Sequence, residues 1–198
     1  MTYTRAIGLA CDWGILRIVR GLALSRIHPN VLTFIGLLIN AVAAVLLARG
    51  RFLVAGLVIV VAGIFDMVDG RVARETQQVT RFGGFFDSVM DRYSDLVLLM
   101  GLLVYYASID RFFYIVLTAV VMTGSVMVSY TRARAENEVA KCKVGFMERP
   151  ERLVLLILGA LFNRMAPVLW IIAALSNVTV IHRLIYTWRE TRRLESGQ

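Results

Sequence analysis

Residues 31–48 run for eighteen positions without a charged side chain. As a helix rising ~1.5 Å per residue, that stretch reaches ~27 Å, close to the ~30 Å hydrocarbon layer of a bilayer. Comparable apolar stretches recur over 52–74, 83–108, 111–136, from 153 onward, and over 168–188. Of 198 residues, 58% are hydrophobic, and the mean hydropathy is +0.69, more apolar than a soluble domain. These features predict an all-α integral membrane protein, one membrane domain over 1–198 with six transmembrane helices in its 28–188 core. Residues 189–198 read as a cytosolic tail. Residues 1–27 differ, being broken by Arg5, Asp12, Arg17, Arg20 and Arg26. They read as an amphipathic helix on the membrane surface preceding the core, and no removable signal peptide is read there.

Local signals place the boundaries. His28-Pro29-Asn30 opens the first span, with Pro29 in the first turn and Asn30 as its expected cap. Arg49-Gly50-Arg51 and Ile109-Asp110 read as turns, and Pro150 marks a helix start. The fifth span looks short unless its helix begins before Arg152. Seventeen of the 22 lysines and arginines fall in the N-terminal segment, in the second and fourth connections with the helix ends beside them, and from Arg183 to the C-terminus. By the positive-inside rule, both termini and those connections face the cytosol.

A net charge of +8 in a soluble protein would point to nucleic acid. Here basic loops serve membrane orientation and attraction to anionic lipid, and no basic stripe with interleaved aromatics appears, so no nucleic acid is expected. Cys11 and Cys142 are too few and too far apart for a zinc site or disulfide framework. His28 and His182 are isolated, which favours packing or capping over metal ligation.

The chemistry concentrates in 66–95, where Asp66, Asp69, Asp87, Asp91 and Asp95 sit beside or within apolar segments. Carboxylates in such surroundings are costly and usually functional. Asp66 and Asp69 are three apart, and Asp87 and Asp91 four apart, so each pair shares a helix face. Two such pairs on neighbouring helices make an oxygen-rich pocket for one or two divalent cations. Asp66 lies ~20 Å along its helix from Phe52, so the acids sit near one membrane face. Gly70, Arg74, Thr80, Arg81 and Gly83, lying between the pairs, form a small and basic set suited to phosphate. The combination points to metal-assisted phosphoryl chemistry.

The pattern Asp66-x2-Asp69-Gly70-x2-Ala73-Arg74-x8-Gly83-x3-Asp87-x3-Asp91 resembles the full signature of the CDP-alcohol phosphotransferase family: eight fixed positions across 26 residues. The resemblance implies a six-helix membrane fold, a homodimer, and a cytosol-facing site in a prokaryotic cytoplasmic membrane. It implies attack of an acceptor hydroxyl on the β-phosphorus of CDP-diacylglycerol, with CMP leaving. Asp66, Asp69, Asp87 and Asp91 would then hold two magnesium ions, or manganese in their place, and Asp91 would also take the acceptor's proton. Asn30, Thr33, Asp69, Gly70, Ala73, Arg74, Thr80 and Gly83 would contact the CDP-lipid. Physical chemistry agrees: glycines leave room for a nucleotide, and Arg74 can fork onto a phosphate. Asp95 lies outside the signature, one turn past Asp91, and is expected to support the site rather than to ligate.

A second cluster sets the acceptor. Arg132 and Arg134 end one helix, and Arg149 and Arg152 begin the next, where the helix dipole also favours anions. Such a group suits a phosphorylated polyol rather than a neutral alcohol. The segments Ser129–Glu136 and Glu148–Arg152 are similar to those of prokaryotic phosphatidylinositol-phosphate synthases, which implies inositol 1-phosphate as acceptor. This chain departs in Arg132, where that pattern usually has lysine, and in residues 137–144, which lack the glycine-rich sequence of the pattern. Glycerol 3-phosphate is the alternative acceptor. A divalent-cation transporter is the alternative of another class, but it predicts acids near mid-membrane and leaves Gly70, Ala73 and Arg74 unexplained.

Overall fold

The computed structural model describes residues 28–75, 77–140 and 142–196, without the side chains of Asp69 and Glu75. The surface helix expected over 1–27 lies outside the described residues. Among the described residues, every regular element is a helix: α1 (Pro29–Ala48), α2 (Phe52–Glu75), α3 (Arg81–Ser108), α4 (Phe112–Glu138), α5 (Arg149–Leu161) and α6 (Met165–Ser196).

Four of these, α1, α2, α4 and α6, are long and apolar enough to cross a membrane, and the protein is a multi-pass membrane protein. The other two of the six expected spans fall short of that standard. Helix α3 has 28 residues, but Arg81, Asp87, Asp91, Arg92 and Asp95 crowd the part from 81 to 95. Helix α5 has only 13 residues, ~20 Å at helical rise. Two boundaries also move. The cap of α1 is His28, not Asn30: His28 Nδ1 accepts the Asn30 backbone N–H at 3.3 Å, and Asn30 lies inside the helix. The charged residues read as a tail continue α6 to Ser196.

The chain divides into two compact units. The first comprises residues 28–41 and 58–94 of the described chain. Its core is Leu32 of α1 against Val68 and Val72 of α2, with Phe65 packed beside them. Thr80 starts α3 by accepting the Gly83 N–H on its hydroxyl at 2.9 Å, a cap that satisfies one of the helix's orphan donors.

The second unit comprises residues 42–57 and 95–196. Helices α1 and α3 cross at Gly101, where any Cβ would lie 2.3 Å from the Ala44 carbonyl oxygen, so only glycine permits the approach. Helices α4 and α6 pack along stripes of small residues, Gly124 and Ser125 on one and Ser176 on the other, which let the two backbones come close. The connection before α5 is fastened to α6. Thr179 Oγ1 accepts the Phe146 and Met147 N–H groups at 3.3 and 3.1 Å, and Gly145 adopts φ +118 with Thr179 so near that a Cβ would meet its methyl at 2.4 Å.

Candidate active site

In the first unit, Asp66 on α2 and Asp87 and Asp91 on α3 bring carboxylate oxygens within 4.8 Å of one another, all three half-buried. Helical spacing puts Asp87 and Asp91 on one face of α3, and the Leu32–Val68–Val72 core holds α2 against α1. Asp69 follows Asp66 by three positions on α2, but its side chain lies outside the described residues. Like charges this close disfavour one another unless a proton or cation intervenes. An all-oxygen donor set of this kind fits a hard divalent cation. Arg92 stands 3.9 Å from Asp91 and also donates to the Ser88 carbonyl oxygen.

Beside the acids opens a cleft of about 260 Å³. Asn30 and Thr33 of α1 line it, together with Gly70, Ala73 and Arg74 of α2 and Thr80 and Gly83 at the start of α3. The sequence-predicted nucleotide residues whose side chains are described are thus gathered in one place, and Asp87 joins them there. Around Gly70, a Cβ would meet nothing nearer than the Arg74 guanidinium at 3.8 Å, so the space above that helix face belongs to the cleft. Gly83 is tighter, with Thr80 Oγ1 at 3.0 Å and Asn30 Oδ1 at 3.4 Å from a built Cβ. Gln78 and Val79 also line the cleft. Sequence reasoning passed over them as part of a polar connection, although their place between Gly70 and Gly83 is a usable signal. A smaller hollow reaches Asp66 and Asp91, with Thr33, Asn40 and Ser94 in its wall.

The four arginines expected to take the acceptor's phosphate lie in the second unit, where Arg132, Arg149 and Arg152 enter two ion-pair networks. Arg132 donates to Glu136 Oε1 at 3.1 Å and to Glu148 Oε1 at 3.2 Å. Arg149 and Arg152, three apart at the start of α5, share Asp95: Arg152 Nη2 donates to Oδ2 at 2.6 Å, and Arg149 Nε stands 3.6 Å from Oδ1. Arg134 is exposed. Sequence reasoning missed Arg183, counted only as a basic residue near the C-terminus. It is 1% exposed and donates to the carbonyls of Val144 and Val128 and to Glu148 Oε1 at 3.1 Å. An arginine set among Ile181, Leu184 and Ile185 in α6 was the available sign. The two histidines pack or cap as expected, His182 by stacking on Phe146.

Comparison with known proteins follows the same lines. Residues 26–186 match the CDP-alcohol phosphatidyltransferase domain family. An archaetidylinositol phosphate synthase of Pyrococcus horikoshii is 37% identical over 91% of this chain and 93% of its own length. A phosphatidylinositol phosphate synthase of Mycobacterium tuberculosis is 35% identical over 86% of this chain and 84% of its own. The crystal structure of the Mycobacterium tuberculosis phosphatidylinositol phosphate synthase with CDP-DAG bound superposes with a TM-score of 0.81 at 31% identity, covering 88% of this chain and 93% of that one. A second crystal structure of that synthase, in complex with manganese and citrate, also gives a TM-score of 0.81, at 32% identity, covering 88% of each chain. With the family's domain spanning residues 26–186, and with Asp66, Asp87 and Asp91 gathered beside one cleft, the chain belongs to the CDP-alcohol phosphatidyltransferase family.

Proposed function

We propose that this protein joins CDP-diacylglycerol to inositol 1-phosphate, releasing CMP and leaving phosphatidylinositol phosphate in the membrane. The observation that carries the reading is the three-carboxylate cluster of Asp66, Asp87 and Asp91 beside a cleft walled by Gly70, Arg74, Thr80 and Gly83, in a member of this family. Both groups of relatives are named for an inositol phosphate, and they differ in the lipid. The diacylglycerol form is favoured here by the relative with CDP-DAG bound.

In this reading the acceptor hydroxyl attacks the β-phosphorus. The new O–P bond forms as the bond from that phosphorus to the oxygen shared with CMP breaks, and CMP carries that oxygen away. Asp91 takes the hydroxyl proton on a carboxylate oxygen as the attack proceeds. Arg74 offers paired N–H donors to a phosphate, and Asn30, Thr33, Gly70, Ala73, Thr80 and Gly83 shape the nucleotide's place. Asp66, Asp87 and Asp91, together with Asp69, would hold two magnesium ions, or manganese in their place, which when bound draw charge from the diphosphate oxygens. Arg132, Arg134, Arg149 and Arg152 receive the acceptor's phosphate, where guanidinium groups suit a planar fork onto oxygen.

The same reading makes all six helices membrane spans, with the termini and the acids on the cytosolic side of a prokaryotic cytoplasmic membrane, in a homodimer. The deciding experiment supplies purified protein with CDP-diacylglycerol and magnesium, adds inositol 1-phosphate or glycerol 3-phosphate separately, and identifies the lipid by mass spectrometry. Phosphatidylinositol phosphate is the expected product. A product from glycerol 3-phosphate alone moves the acceptor, and no lipid product from either removes the reading.

A further inference from the structure

Asp95 lies outside the proposed cation site of Asp66, Asp69, Asp87 and Asp91. It is 6% exposed, and both of its oxygens face guanidinium groups: Oδ2 at 2.6 Å from Arg152 Nη2, Oδ1 at 3.6 Å from Arg149 Nε. Arg149 and Arg152 are three residues apart on α5, so their like charges repel across one helix face. A carboxylate between them removes part of that repulsion and fixes where each guanidinium points. Leu99, Val121, Leu156 and Ile172 surround the Asp95–Arg152 pair, and such apolar walls strengthen a short ion pair by lowering the local dielectric.

Arg152 is unusual for a purely structural partner. Although 3% exposed, its Nε and Nη1 have no hydrogen-bond acceptor among the described residues, and Ser125 Oγ in the wall of the same small cavity has no partner there either. Buried donors left in this state cost free energy, so an arginine kept only for stability would find acceptors for them. One carboxylate contact orients the group while its other nitrogens stay available to an incoming anion.

We propose that Asp95 is a positioning residue for the acceptor: it aligns Arg149 and Arg152 for the phosphate without touching the acceptor itself. This rests on the reading that these arginines receive the acceptor's phosphate, and it adds what sets them.

The test is steady-state kinetics on the full-length enzyme in lipid, with both substrates varied. Asp95→Asn raises the KM for inositol 1-phosphate about tenfold, the usual scale for removing a group that orients a ligand-binding side chain, while the KM for CDP-diacylglycerol stays within about twofold. Asp95→Glu restores most of the loss. Unchanged KM values with only a lower melting temperature or kcat would show a structural ion pair and overturn the proposal. Should Asp95→Asn not fold, Asp95→Ser, which leaves both arginines in place, is read the same way: a raised acceptor KM with the CDP-diacylglycerol KM unchanged supports the proposal, and unchanged KM values overturn it. If the wild type uses glycerol 3-phosphate and not inositol 1-phosphate, the functional reading fails, and the same KM ratio measured with glycerol 3-phosphate still decides the role of Asp95.

Discussion

In the unit built from residues 28–41 and 58–94, three carboxylates crowd within 4.8 Å of one another. In the unit built from 42–57 and 95–196, Asp95 and Glu148 each lie between two arginines. The first arrangement draws like charges together, which a divalent cation would offset. The second is compensated by the chain itself. A single neutralising substitution therefore acts in opposite senses in the two: it relieves repulsion in the first and strands a buried cation in the second. The contrast separates like charges drawn together from charges paired within the chain.

The largest expected effect strips the first unit of its cation. Excess chelator brings CMP release to background, and added magnesium or manganese restores it. The two ion-pair networks of the second unit need no metal, so chelator leaves helix content by circular dichroism unchanged. Activity that persists in excess chelator would remove the cation from the account.

Next in size is Asp91→Asn. Loss of the proton acceptor lowers kcat by about 10²–10⁴-fold, the range of a general base, while CDP-diacylglycerol still binds. Equilibrium binding of the CDP-lipid separates the two effects. Full turnover in the variant would leave Asp91 a cation ligand at most.

Glu148 tests the other side. It accepts from Arg132 at 3.2 Å and from the buried Arg183 at 3.1 Å. Glu148→Ala takes an acceptor from both and lowers stability by about 1–3 kcal/mol, with Arg183 still held by the carbonyls of Val144 and Val128. For a chain of this size that is a fall of roughly 2–4 °C per kcal/mol in melting temperature. An unchanged melting temperature would mean that Glu148 is not needed to compensate Arg183.

The two units also differ in how far they could be read from the sequence. Asp66, Asp87 and Asp91 were legible because their spacing follows from helical periodicity and their family signature from identity alone. The cleft residues, Asn30 through Gly83, came with that resemblance. The second unit's partnerships span long separations that no local pattern encodes. Asp95 meets Arg152 across 57 positions, and Arg183 meets Val128 across 55. Gly145 is required by Thr179, a contact that exists only once α6 is in place. The membrane helices were legible by length and hydropathy, yet α3 and α5 show the limit of that signal. In α3 the charges from Arg81 to Asp95 break the apolar run that would have marked it, and α5 is short. Even the cap of α1 turned on one position: Asn30 and His28 both flank Pro29, and the choice depends on where the helix begins.

The smallest effect expected is also the one that probes the contrast most directly. Asp87→Asn removes one of three like charges while keeping the shape of the side chain, so in excess chelator the variant should melt higher than the wild type. For half-exposed carboxylates the gain is limited by solvent screening to at most about 1 kcal/mol, or roughly 2–4 °C. With saturating magnesium the order reverses, because the wild type recovers stability from cation binding that the variant has weakened. Scanning fluorimetry of the two proteins in detergent, with chelator and then with magnesium, gives four melting temperatures. A crossing of the two pairs is the signature of a cluster whose mutual repulsion a divalent cation relieves. If Asp87→Asn instead lowers the melting temperature in chelator as far as Glu148→Ala does, the acids are balanced from within, and the two units handle charge alike.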